Sequence, residues 1–133
     1  MPQEENVELL ERAYEALNRR DLETVVGLCD PEIEIDNTNA VFDAEVYHGH
    51  EGLARFFAQG SEMWESQRFE PEEYIPVGAD LVLVPQRIVS LGRDGIETIA
   101  HNSNLYTLRG GRAVRVKTFQ TKAAALEALG LAD

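Results

Sequence analysis

Cysteine is nearly absent: Cys29 is the single thiol in 133 residues. A lone thiol cannot close an internal disulfide, so nothing requires an oxidising compartment. No apolar stretch approaches the roughly 20 residues that span a bilayer. The opening MPQEENVELL lacks the basic segment that starts a secretory signal. Basic residues are scarce, 12 Lys and Arg against 24 Asp and Glu, for a formal charge of −12. Such a surface repels phosphate backbones and anionic lipid, which argues against nucleic acid and membrane as partners. No phosphate loop, dinucleotide fingerprint, nucleophile elbow or metal-ligand spacing is present, so we expect no cofactor and no metal. The hydrophobic share of 44% is near the globular average, and the charge does not push the chain into disorder. The expectation is a soluble, cytoplasmic protein with a single domain over residues 1–133.

The first half has helical spacing. Val7, Leu10, Tyr14 and Leu17 recur on one face, and Asp21 is placed to cap a second helix whose stripe is Leu22, Val25, Val26 and Cys29. Pro31 ends that stripe. Glu32 to Asn37 then alternates strictly, with Ile33, Ile35 and Asn37 on one face and Glu32, Glu34 and Asp36 on the other. Residues 38–48 read as a loop with one short strand near Val46. A third helix is expected from His50, with Leu53, Phe56, Phe57, Met63 and Trp64 on one side.

The second half has strand character near 68–77, 79–92, 96–108 and 113–120, divided by Gly78, Gly92-Arg93-Asp94-Gly95 and Gly110-Gly111. Thr121 can cap a last helix, Lys122 to Leu129, closed by Gly130. Lys122 and Glu127 oppose that helix's dipole, so it depends on docking Leu126 and Leu129. Helices followed by an antiparallel meander predict an α+β domain with helices on one face of the sheet. In the strand from 79, Leu81 and Leu83 alternate with Val82 and Val84, so both faces are apolar. The helices cover one face, and a homodimer through the outer face is expected to cover the other.

Several segments, in order, resemble one superfamily. Arg12-Ala13-Tyr14-Glu15-Ala16-Leu17-Asn18-Arg19-Arg20-Asp21-Leu22 looks like its first-helix signature, and Asp30-Pro31-Glu32-Ile33-Glu34-Ile35 like its first strand. Tyr47-His48-Gly49-His50-Glu51-Gly52-Leu53 is similar to the lead into its third helix. Leu105-Tyr106-Thr107-Leu108-Arg109-Gly110-Gly111-Arg112 is similar to its last hairpin, and Ala123 to Leu131 to its closing helix. From about residue 5 to the end, the chain resembles the SnoaL-like group of the nuclear-transport-factor-2-like superfamily, which includes ketosteroid isomerases and polyketide cyclases. The resemblance implies a cystatin-like α+β roll. In that fold a strongly curved antiparallel sheet forms a cone, N-terminal helices pack on its concave face, and an apolar pocket lies at the open end. The scaffold hosts isomerases, cyclases, dehydratases, hydrolases and non-catalytic binders alike.

Isomerases of this group need a base and two acidic donors that stabilise an enolate. The resemblance puts the base position on Asn37, and an amide cannot take a proton near neutrality. Asp36 is adjacent but faces the other way, and only a register slip would bring it in. The protonated-acid position falls on Asn104, which can still donate a hydrogen bond. The Tyr position falls on Ala13. Tyr14 is one residue away, about 100° around the helix, where it either reaches the pocket from another angle or packs in the core. Val116, Thr118 and Gln120 are implied to face the pocket beside Asn102, Asn104 and Tyr106, with Phe57 and Trp64 as walls. His48 is a candidate proton carrier at the mouth. The expected partner is a small molecule bearing carbonyl or hydroxyl oxygens. The expected activity is a cofactor-free isomerisation, cyclisation, dehydration or hydrolysis, with a non-catalytic binding or accessory homodimer as the alternative. Arg87, mid-strand among apolar neighbours, is either an anion clamp or half of an ion pair in the dimer interface.

Overall fold

A computed structural model describes residues 2–40 and 44–131. The chain forms α1 (Pro2–Asn18), α2 (Leu22–Gly27), β1 (Cys29–Asp36), β2 (Val46–His48), α3 (Gly49–Met63), β3 (Trp64–Pro71), β4 (Ile75–Val77), β5 (Leu81–Gly92), β6 (Glu97–Arg109), β7 (Arg112–Phe119) and α4 (Lys122–Ala128). The strands make one curled, unclosed sheet in the order β2-β1-β7-β6-β5-β3, with β4 beside β5. The loop expected at 38–48 does carry a short strand at Val46, and residues 41–43 of it lie outside the described residues.

Helical spacing accounts for α1. Leu10 and Tyr14, one turn apart, are both buried, and Leu9 joins them against Ile33, Ile35, Val82, Val84 and Leu53. Asp21 caps α2 as expected: its carboxylate accepts from Thr24 N at 3.2 Å and from Thr24 Oγ1 at 2.7 Å. The end of α1 is pinned to an edge strand. Asn18 donates from Nδ2 to Phe69 O and accepts at Oδ1 from Phe69 N, both at 2.8 Å, and so occupies backbone groups that β3 would otherwise leave unpaired. Between β2 and α3 the backbone of Gly49 is left-handed at φ 70°, and a Cβ there would meet Pro31 O at 3.1 Å.

Several boundaries differ from the sequence expectation. Cys29 opens β1, opposite Ala113, instead of closing the helical stripe of α2. The strand therefore begins two residues before Pro31. Leu22 is 38% exposed and leaves that stripe. Trp64 is the C-cap of α3, with extended φ −121° and ψ 143°, and starts β3; Met63 beside it is exposed. The sheet is also not wholly antiparallel, because β1 runs parallel to β7. Alternation along one strand carries no information about which neighbour it finds.

The doubly apolar pattern of β5 is partly explained within the chain. On the outer face Leu83 packs with Phe119 and Ala125, flanked by Ile75, Leu105 and Leu126. The helix α4 docks there through Ala125 and Leu126, capped by Thr121 Oγ1, which accepts from Ala124 N at 3.0 Å. Gly130, left-handed at φ 74°, closes it, with Leu131 N donating to Leu126 O at 2.8 Å. Self-association is therefore not required to cover Leu83.

Candidate functional site

Register and parity decide which side chains enter the cone. Ile35 stands opposite Tyr47 on one side and Val116 on the other, and Asn37 continues the same face, 8% exposed. On the longer strands Val82 is paired with Tyr106, Val84 with Asn104, Gln86 with Asn102, and Asn104 with Thr118. Directly opposed side chains on one face lie close enough to touch. Residues two apart on one strand share that face.

Those rules build a connected polar cluster. Gln86 Nε2 donates to Asn102 Oδ1 at 2.8 Å, and Thr118 Oγ1 donates to Asn104 Oδ1 at 2.9 Å, both across strands. Along β6, Asn104 Nδ2 donates to the Tyr106 hydroxyl at 3.2 Å. From α1, Tyr14 reaches down between the pairs. Its hydroxyl donates to Gln86 Oε1 at 2.6 Å and lies 2.8 Å from the Tyr106 hydroxyl. The Tyr14 and Tyr106 rings meet edge to face at 6.3 Å. Burial pushes both phenols above their ordinary pKa, Tyr14 well above it, so both stay neutral.

Tyr14 thus packs in the core with its hydroxyl satisfied, the second of the two alternatives. Gln86, 3% exposed, sits at the junction of the cluster and was not singled out from sequence. A signal existed: Gln86 continues the even-numbered face of Val82 and Val84, and a lone amide in an apolar strand must find partners.

The expected ionisable groups lie elsewhere. Asp36 points to the outer face, where Oδ1 accepts from Thr38 N at 3.1 Å and from Thr38 Oγ1, and Oδ2 lies 3.4 Å from Arg115 Nη2. The Thr38 hydrogen bonds, with Lys117 and Arg115 behind them, hold its pKa below the usual aspartate value. His48 is exposed opposite Glu34 on the outer side, not at the mouth, because Tyr47 takes the inward position of β2. Gln120 is exposed beyond the end of β7, since the strand stops at Phe119. Arg87 donates to Glu70 Oε1 at 2.8 Å, an ion pair within the chain where a dimer-interface pair was one expectation. Phe57, Tyr106 and Val116 pack against the main core, and Trp64 is half-buried at the start of β3. Burial pushes the Cys29 thiol up to about 11, which makes it a poor nucleophile.

The exposed end of the concave face lies toward the start of β6. Thr98 and Ala100 on the concave side are exposed, Asn102, Asn104 and Tyr106 are half-buried, and Leu108 is buried. A cleft of about 370 Å³ lies at the corner between β7 and α4, bordered by Glu72, Glu73, His101, Asn102, Gln120 and Lys122. Within it Lys122 is paired with Glu73, and His101 Nδ1 lies 3.8 Å from Glu72. No group of three or more potential metal ligands occurs among the described residues.

Helices held in a curled open sheet, with a neutral hydrogen-bonded cluster on the concave face, define a cystatin-like α+β roll. Within that class the chain belongs to the SnoaL-like domain family, whose model matches residues 10–116. Among curated proteins no sequence relative matches. Solved structures share the fold. TerC co-crystallised with polyporic acid is 22% identical with a TM-score of 0.78, covering 95% of this chain and 98% of its own. An NTF2-like protein of unknown function from Burkholderia pseudomallei is 21% identical, TM-score 0.77, with coverages of 92% and 95%. RV0760c from Mycobacterium tuberculosis, in complex with estradiol-17beta-hemisuccinate, is 16% identical, TM-score 0.74, with coverages of 91% and 95%.

Proposed function

We propose that this SnoaL-like domain binds a small, largely apolar, oxygen-bearing molecule at the open end of its cone, without a carboxylate or imidazole base. The observation that carries this reading is the chemistry of the concave face. Among the described residues its polar positions on the strands are Gln67, Gln86, Ser90, Thr98, Asn102, Asn104, Tyr106 and Thr118, with Asn37 just past the end of β1, all neutral. General acid–base catalysis needs a titrating group within reach, and Asp36 is turned toward Arg115 and Thr38. Neutral amides beside apolar walls suit orientation of ligand oxygens. Two proteins of this fold were crystallised with small molecules, polyporic acid and estradiol-17beta-hemisuccinate, which supports a small molecule as the partner. Catalysis by Asn37 and Asn104 through orientation alone is the enzymatic version of the same site.

Native mass spectrometry of protein purified from its host is expected to detect a retained neutral or weakly acidic small molecule. Given a β,γ-unsaturated ketone, the unmutated protein is expected to leave it unisomerised, whereas Asn37→Asp places a base on the concave face and gives measurable turnover. Rapid isomerisation by the unmutated protein would overturn the reading. We also propose a homodimer through the part of the outer face that α4 leaves open, where Ile99 is 49% exposed.

A further inference from the structure

The polar cluster has a direction, and the direction selects a ligand. Tyr14 has one hydroxyl proton, and it goes to Gln86 Oε1. The contact between the two phenols is therefore made by the Tyr106 proton. With that proton spent, the Tyr106 oxygen accepts from Asn104 Nδ2. The chain of donors runs from Thr118 through Asn104, Tyr106, Tyr14 and Gln86 to Asn102. The reverse order would require Gln86 to offer an N–H to Tyr14 and Tyr106 to offer an O–H to Asn104. The distances oppose both. At 2.6 Å the Tyr14–Gln86 contact has O–H···O length, and at 3.2 Å the Asn104–Tyr106 contact has N–H···O length.

At the open end, Asn102 Oδ1 is taken by Gln86. No group among the described residues accepts from Asn102 Nδ2. Asn102 also stands at the boundary between the buried cluster and the exposed positions Ala100 and Thr98. We propose that Asn102 is the specificity-determining residue of the cone: Gln86 occupies one lone pair of its Oδ1 while both Nδ2 hydrogens stay unclaimed among the described residues, so the site favours a ligand whose inward oxygen is an acceptor, a ketone or ester carbonyl, over one that must donate. Asn104, the position that the family resemblance links with an oxyanion donor, is committed to Tyr106 and Thr118 and serves as a positioning residue. The proposal rests on the binding reading above and narrows its ligand class.

The test uses two probes of one shape, 2-acetylnaphthalene and 2-isopropenylnaphthalene, which differ by C=O against C=CH2. Each is titrated into ¹⁵N-labelled protein, with the Asn102 side-chain amide signal followed. The ketone is expected to bind about tenfold more tightly than the alkene, the worth of one hydrogen bond, and to shift the Asn102 amide. In Asn102→Asp the acceptor for Gln86 survives and both donors vanish, so the ratio should fall to about one. Asn102→Ala should give the same ratio if Asn102→Asp fails to fold. Equal affinities in the unmutated protein would sink this inference and leave the binding reading standing. So would a ratio that Asn102→Asp and Asn102→Ala leave intact. Binding of neither probe would overturn both readings.

Discussion

Each residue of the polar cluster is held by partners from a different element, so single deletions strand buried groups. Tyr14→Phe removes the donor to Gln86 and the acceptor for Tyr106 together. An unsatisfied buried group costs about 1–3 kcal/mol, and urea denaturation should show a loss in that range. Gln86→Leu should cost at least as much, because Tyr14 and Asn102 both lose their partner. Asp36 behaves differently, since its hydrogen bonds and charges lie on the outer face. Its folded pKa is depressed, so the stabilisation is present above the unfolded value of about 3.9 and is lost as pH falls through the lower folded value. Acid titration of Asp36→Asn should therefore show a flatter loss of stability at low pH than the unmutated chain. Neither tyrosine should titrate near neutrality, because burial raises both. At this scale the alternation of Glu32 to Asn37 was enough to send Asn37 inward and Asp36 outward. Gln86 was passed over because its role depends on Tyr14, a residue 72 positions away in sequence.

Among the elements, the helices and strands follow local patterns closely, and their ends do not. The cap at Asp21, the left-handed glycine at Gly130 and the alternation of β1 are local chemistry and were legible. The places of Cys29 and Trp64 were not. Each is an apolar residue at a junction, compatible with either period, and strand pairing with Ala113 and Gly92 decides the matter. The closing helix shows what docking adds. It has 7 residues and an unfavourable arrangement of end charges, too short to persist alone. Ala125, fully buried against Leu83 and Phe119, anchors it. Ala125→Asp should undock α4, expose that apolar surface and raise dye binding by 1-anilinonaphthalene-8-sulfonate, while circular dichroism retains the signal of the sheet. Unchanged dye binding would show that α4 is held in some other way.

At the scale of the whole molecule, the sheet leaves its outer face unevenly covered. Around Leu83 the chain supplies α4, whereas Ile99 is left 49% exposed. Light scattering at micromolar concentration should give a dimer mass for the unmutated protein. Ile99→Glu should shift it to a monomer by placing a charge that must be desolvated in the apolar part of the interface. A monomer mass for the unmutated protein would remove the dimer proposal and leave the cone untouched.

Local rules were sufficient for the α+β class, the order of elements and the inward turn of Asn37, because caps, periods and turns act over a few residues. They could not reach the parallel pairing of β1 with β7, the cover that α4 gives Leu83, or the donor chain from Thr118 to Asn102. Those arrangements join residues far apart along the chain, and the folded sheet must exist before any of the groups involved has its partner.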